Sequence, residues 1–391
     1  MSGHVKPSRI LVIFLSEMGS LVLARPMFDY IKMQYPNASI YVLLFERNRE
    51  CLEILDVVPP ENIFSVDGEN LSKLMKDSIA ALIKIRKNKI DAVLDGELFS
   101  RISSIYSFLS GAKIRVGFHP YNQEGLYRGN FINRPILYNP YCHISLQFIA
   151  LAKAIESEAV PKLKHLFMNE NQKPSQINIK REDLNGQWKR FRKDFPQILG
   201  KRLIFIYPSG GLLPIRAWPL HNYCKIAEDF IRNGFAVGVI GMESDKALAE
   251  AILSHCQSEN CIDLTGYTRT LKELMSIFHF GSLLITNDGG PGHFASMTPI
   301  KAIILFGPET PVLYGSLDDK AVNLHVPLSC SPCLTAYNHR NSPCDGDNVC
   351  LKSIDPGVVI QKAYEILEEE KKRCIEGKDE HKSVKEEVIR H

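Results

Sequence analysis

The chain has 391 residues, a length that suits two domains, and its 45% apolar and 23% charged side chains are ordinary for a soluble globular protein. A formal charge of +3 is too small to argue for a nucleic-acid partner, although it permits a local basic face toward an anionic membrane. There is no apolar run of transmembrane length and no signal-peptide pattern, and ten cysteines in a chain this long do not suggest a disulfide scaffold, so a cytoplasmic protein is expected.

Taken in chain order, the pattern alternates short β-rich runs with helical ones. A strand over 9–15 leads into Glu17-Met-Gly-Ser20, read as a glycine turn, and a helical pattern follows from Pro26. Strands are expected over 39–45, 62–66, 92–95 and 114–118, and helices over 71–86 and 101–109. Residues 161–201 are polar and mixed, with a helix near 185–195.

The second half opens as the first does. A strand over 201–207 leads into Pro208-Ser-Gly-Gly211 and then a helical pattern at Tyr223. Strands at 235–240 and 261–266 and helices over 247–252 and 271–278 follow. Alternation of this kind implies parallel sheets with right-handed crossovers, in two Rossmann-like domains. The apolar run 282–286 then enters Thr286-Asn-Asp-Gly-Gly-Pro-Gly-His293, and a strand over 301–306 ends in Gly307-Pro308. This is the layout of a ligand site at the carboxyl ends of parallel strands. Its glycines let backbone N–H groups approach a phosphate, Asp288 suits sugar hydroxyls, and His293 can donate to an oxyanion. A tight strand–helix turn with a capping Asp is the plainer reading of the same residues.

From about Arg9 to Ile366 the chain resembles the family 9 glycosyltransferases, whose best-known members are the lipopolysaccharide heptosyltransferases. The matching pieces are residues 16–26, 111–118, Tyr207-Pro-Ser-Gly-Gly211 with Arg216-Ala-Trp-Pro219, 286–293, Leu305-Phe-Gly-Pro308, and Cys330-Ser-Pro-Cys333 with Cys344 and Cys350. The resemblance implies an α/β GT-B fold, two Rossmann-like domains with parallel sheets facing a central cleft. Composition along the chain sets the boundaries, a polar linker (176–200) and a charged tail read as disordered (368–391), and the resemblance makes 1–175 the acceptor-binding domain and 201–367 the nucleotide-sugar-binding domain.

It implies further an inverting, metal-independent transfer without a cofactor. The donor is a nucleotide diphosphate sugar, ADP-heptose by resemblance, and the acceptor a lipid-linked saccharide at the cytoplasmic face of the inner membrane. Ser209 and Gly210 would touch the donor phosphates. Arg216, standing where members usually carry a Lys, would neutralise the diphosphate. Glu243 would bind ribose, Asp288 would hold the donor sugar, and Gly289, Gly290 and His293 would surround the phosphates. Trp218 is read as core.

One position departs from the pattern. Many members carry Gly-Asp in the first loop, with that Asp as the base, whereas this chain has Gly19-Ser20. A serine hydroxyl does not accept a proton at neutral pH without another base. Glu17 and Glu97 are therefore the candidate catalytic bases, and Ser20, Asp95 and Arg115 the candidate acceptor contacts. A non-catalytic nucleotide-sugar-binding protein and a GT-B epimerase are the competing readings. The late cysteines, with His339 among them, allow either a zinc site or a packed thiol cluster. Lys84, Arg86, Lys87 and Lys89 read as a solvated helix face, while Arg101, Arg115 and Arg128 are expected at the cleft edge, where they would favour peripheral contact with an anionic membrane.

Overall fold

A computed structural model describes residues 6–375, apart from 16, 69, 99, 120–127, 158–175 and 339. It divides into two compact units, Met1–Pro174 and Ser175–His391.

The first unit runs β1 (Arg9–Ile13), α1 (Met18–Leu23), α2 (Arg25–Gln34), β2 (Ser39–Phe45), α3 (Arg49–Leu55), β3 (Ile63–Val66), α4 (Leu71–Lys87), β4 (Ala92–Asp95), α5 (Arg101–Leu109), β5 (Ile114–Phe118), β6 (Arg134–Ile136) and α6 (Ile144–Lys153). Its six strands are all parallel, in the order β3-β2-β1-β4-β5-β6. The central strands are apolar over most of their length because helices cover both faces of a parallel sheet. Leu11, Ile13, Leu43 and Val93 meet Ala81, Ile85 and Tyr106 of α4 and α5 in one core. The side chain of Asn70 caps α4, accepting from Lys73 N at 2.8 Å.

The second unit runs α7 (Arg181–Asp194), β7 (Leu203–Tyr207), α8 (Leu220–Arg232), β8 (Ala236–Gly241), α9 (Lys246–Cys256), β9 (Cys261–Thr265), α10 (Leu271–Phe278), β10 (Leu283–Asn287), α11 (Gly290–Ala295), β11 (Lys301–Phe306), α12 (Pro311–Tyr314), β12 (Ala321–His325), α13 (Val349–Lys352) and α14 (Pro356–Ile375). Its parallel strands are ordered β12-β11-β10-β7-β8-β9, the arrangement of the first unit read from the other edge. Trp218 and Tyr223 pack edge to face at 5.1 Å in the core between this sheet and α14, so Trp218 is core as expected.

Several expectations need correcting. Gly19 and Ser20 lie inside α1, not in a turn. Within the span read as linker, the expected helix near 185–195 is α7, and it packs against α10 and the loops around it, with Trp188 4.8 Å from the Phe280 ring and the Arg190 guanidinium 4.3 Å above Tyr267. Residues 368–375, read as the start of a disordered tail, continue α14, and the remainder of that tail lies outside the described residues.

Candidate active site

In a sheet ordered this way the chain reverses direction of build-up between the first strand and the fourth. The loops at the carboxyl ends of those two strands diverge there and leave room for a ligand. In the second unit the strands are β7 and β10, so loops 208–213 and 288–289 stand at the switch point.

One buried amide ties these loops together. Asn287 Nδ2 donates to the carbonyls of Pro208 at 3.2 Å and Ser209 at 3.0 Å. Its Oδ1 accepts from Trp218 N and from the Tyr223 hydroxyl, both at 3.0 Å. The β7 loop is thereby fixed to the end of β10. At Gly210 the chain folds back on itself so closely that a Cβ would stand 2.7 Å from the Leu213 carbonyl oxygen and 2.9 Å from Pro214 Cα. Gly289 is different: its backbone is extended, and a Cβ there would meet nothing within 4 Å.

The next residue on β10 begins a cluster of charges. Asp288 is buried, and the carboxylate lies 3.6 Å from Arg216 Nε. Arg216 Nη2 donates to Glu309 Oε1 at 2.7 Å, and Arg340 Nε lies 3.4 Å from that oxygen. Glu309 follows the Gly307-Pro308 end of β11 and is only 3% exposed. Burial pushes its carboxyl up to about 7, with Arg216 pulling the other way and Asp288 adding to the rise. Burial likewise raises Asp288 against the pull of Arg216, and it lowers the Arg340 guanidinium to about 10. Arg216 Nε and Asp288 Oδ2, the two atoms of that 3.6 Å ion pair, are sealed from solvent and stand just beyond hydrogen-bond distance of each other. Such a pair is costly in an interior unless a ligand completes it.

The other donor-side candidates are arranged around the same edge. The Ser209 hydroxyl accepts from Gly211 N at 3.1 Å. Glu243 is exposed just past β8, its carboxylate resting against the backbone of Gly266 at the end of β9. Gly290 opens α11, and His293 is half-buried within it.

In the first unit the switch point lies between β1 and β4, and there the sequence candidates separate. Glu97 Oε1 accepts from Leu15 N at 2.7 Å, which locks the loop after β4 to the loop after β1. Glu17 is half-buried at the residue preceding α1, and Ser20 sits in the first turn of that helix. Asp95, expected as an acceptor contact, is turned into the interior of the first unit. It has no exposed surface, and its carboxylate is ion-paired with the fully buried Arg128 and accepts from Ser107 Oγ and Glu97 N. Burial pushes Asp95 up to about 6 despite that arginine. Arg128, expected at the cleft edge, is spent on Asp95, two serine hydroxyls and the carbonyl of Phe118.

Arg115 is also displaced from its expected role. It pairs with Val93 near the amino end of β5, away from the ligand edge, and donates to the carbonyls of Phe131 and Ala112. Strand position decides this: Arg115 was expected at the cleft edge but is the second residue of β5. The described thiols of Cys330, Cys333, Cys344 and Cys350 are free, and the described residues include no group of side chains arranged to hold a metal. The first three raise Cys350, as does its burial, so the four share one neighbourhood. His339 lies outside the described residues.

Sequence reading missed Glu309 and Asn287. Glu309 lies one residue beyond a motif already recognised as a strand end, and that position was its only signal.

The family model described as Glycosyltransferase family 9 (heptosyltransferase) matches residues 81–342, about two thirds of the chain. Lipooligosaccharide heptosyltransferase 2 of Haemophilus influenzae is 26% identical over 329 residues, spanning 81% of this chain and 88% of that protein. Lipopolysaccharide heptosyltransferase 2 of Salmonella typhimurium is 26% identical over 182 residues, 45% of this chain and 50% of its own length. Among solved structures, the ADP-heptose lps heptosyltransferase II of E. coli superposes with a TM-score of 0.71 at 20% identity, covering 93% of this chain and 99% of that one. A family 9 glycosyl transferase from Veillonella parvula gives 0.70 at 20% identity, covering 93% and 97%. These structures share the two-unit α/β GT-B fold expected from the sequence.

Proposed function

Because the chain belongs to glycosyltransferase family 9, we propose that it moves a heptosyl group from ADP-heptose to a lipid-linked, lipopolysaccharide-type saccharide, inverting the anomeric carbon. The observation that carries the reading is the Arg216–Asp288–Glu309 cluster at the switch point of the second unit. The Arg216–Asp288 contact is long for an ion pair, and a diphosphate oxygen beside the guanidinium and a sugar hydroxyl beside the carboxylate would complete it. Glu309 holds the guanidinium in place from behind. Gly289 leaves room for a phosphate against the backbone, His293 stands in the helix that follows, and Glu243 offers a carboxylate for ribose at the end of β8. Ser209 and Gly210 shape the loop that would approach the diphosphate.

In the reaction the acceptor hydroxyl attacks the anomeric carbon on the side opposite the diphosphate. The glycosidic bond forms as the carbon–oxygen bond to the diphosphate breaks, and the bonding pair leaves with the nucleoside diphosphate. The hydroxyl proton passes to a carboxylate base, while Arg216 balances the charge on the leaving group. We assign the base to Glu97 or Glu17 of the first unit. Leu15 N orients the carboxylate of Glu97, so that residue is tested first.

Purified protein given ADP-heptose and a heptose-deficient lipopolysaccharide core should release ADP and add one heptose to the acceptor. Tight donor binding with no product from any core acceptor would overturn the proposal in favour of a binding protein. Glu97→Gln keeps an oxygen to accept from Leu15 N yet removes the basicity, so kcat should fall by about 10²–10⁴ with little change in donor affinity. Full kcat in that variant would transfer the role to Glu17, to be checked in Glu17→Gln.

A further inference from the structure

The helices α4 and α5 carry a strip of large apolar side chains that the first unit leaves uncovered. On α4, Leu71, Met75, Ile79 and Ile83 recur every fourth residue and are between 51% and 73% exposed. On α5, Ile102, Ile105 and Phe108 are between 46% and 52% exposed. The adjoining side of α4 already meets the core through Ala81 and Ile85, so the exposed strip widens the apolar face of the helix beyond what the core covers. The two helices are neighbours. Ser78 and Tyr106 share a hydrogen bond between their hydroxyls, and Arg86 Nε donates to the Leu109 carbonyl. Isolated exposed apolar residues are normal on a soluble protein, but a run of seven across adjacent helices marks a surface that meets something.

Charge indicates what it meets. Residues 71–89 contain six Lys or Arg and one acid, Asp77, which accepts from Asp67 N at 3.2 Å. Residues 100–115 add Arg101, Lys113 and Arg115 and no acid. Lys76, Lys84, Lys87 and Lys113 are exposed beside the apolar strip. A second copy seated on this face about a twofold axis would set basic residues against basic residues. Nucleic acid would find phosphate contacts but nothing to do with four aliphatic side chains in line. An acidic bilayer satisfies both features, with acyl boundary for the apolar strip and headgroup phosphates for the cations.

We propose that the α4–α5 face is the surface by which this protein docks onto an anionic lipid bilayer. The inference deepens the reading of a lipid-linked acceptor, but neither donor nor acceptor enters the test.

The full chain should cosediment with vesicles of equal parts phosphatidylglycerol and phosphatidylcholine and remain in solution with phosphatidylcholine alone. Two variants probe the two components: Met75→Glu with Ile79→Glu, and Lys84→Glu with Lys87→Glu. Each should bind the anionic vesicles at least about tenfold more weakly with an unchanged thermal midpoint, and the second should also lose most of the salt dependence. Should the apolar variant fail to fold, the charge variant decides alone. Wild type left in the supernatant with anionic vesicles would overturn the proposal, as would wild-type binding by both variants. So would light scattering that finds a dimer of wild type dissolved by the apolar variant, because the face would then be an interface between copies.

Discussion

Glu309 shows how a single carboxyl sets the behaviour of the donor-side cluster. With Arg216, Arg340 and Asp288 around it, the group carries no net charge when both carboxyls are ionised and one positive charge when Glu309 is neutral. A dianionic diphosphate favours the second state, so donor affinity should tighten as pH falls through about 7. Glu309→Gln should flatten that profile in calorimetric titrations of ADP. The stability effect has the same sign. An acid whose folded value lies above its unfolded value contributes stability that is complete at low pH and lost as pH rises through the folded value. Urea midpoints across pH 5 to 8 should therefore show wild type losing roughly 2 kcal/mol relative to Glu309→Gln. No residue pattern in the sequence announces this carboxyl, since its effect comes from neighbours on three separate loops. Asp95 illustrates the converse. It stands at the right end of the right strand, but burial and Arg128 make it structural, and a linear sequence does not show which arginine fills which interior.

At the scale of elements, the βαβ rhythm was legible because the central strands of both sheets are short, largely apolar and buried runs, several of them running into a glycine-containing loop. The strands that went unread are one edge of each sheet, β6 and β12. β6 contains Pro135, which a sheet tolerates only at its margin, and β12 alternates polar Asn323 and His325 through a half-buried run. The helix α1 was hidden by its glycine, because Gly19 looked like a turn signal and is instead in the first turn of a helix. What holds the loops in register is Asn287, placed at the end of β10 by the strand and satisfied by two other segments. Asn287→Ala would leave the Trp218 N–H and the carbonyls of Pro208 and Ser209 buried and unpaired. A loss of about 2–4 kcal/mol in urea unfolding is expected, with donor binding falling further than stability alone predicts.

For the whole molecule, two units with the same strand order each own a core, and the candidate donor residues all fall within the second. Amide exchange with saturating ADP should show protection concentrated at 208–216, 287–293 and 305–309, with α4 and α5 unchanged. Equal protection across both units would contradict donor binding by the second alone. The uncovered strip on α4 and α5 bears on kinetics as well as on attachment. A catalyst held at a bilayer searches in two dimensions, and the acceptor it experiences is counted per area of membrane, not per volume of buffer. Its rate on a membrane-embedded saccharide would then follow the mole fraction of acceptor among the lipids. Adding inert lipid would slow turnover at constant bulk acceptor, whereas diluting the whole suspension would leave the rate per bound enzyme unchanged.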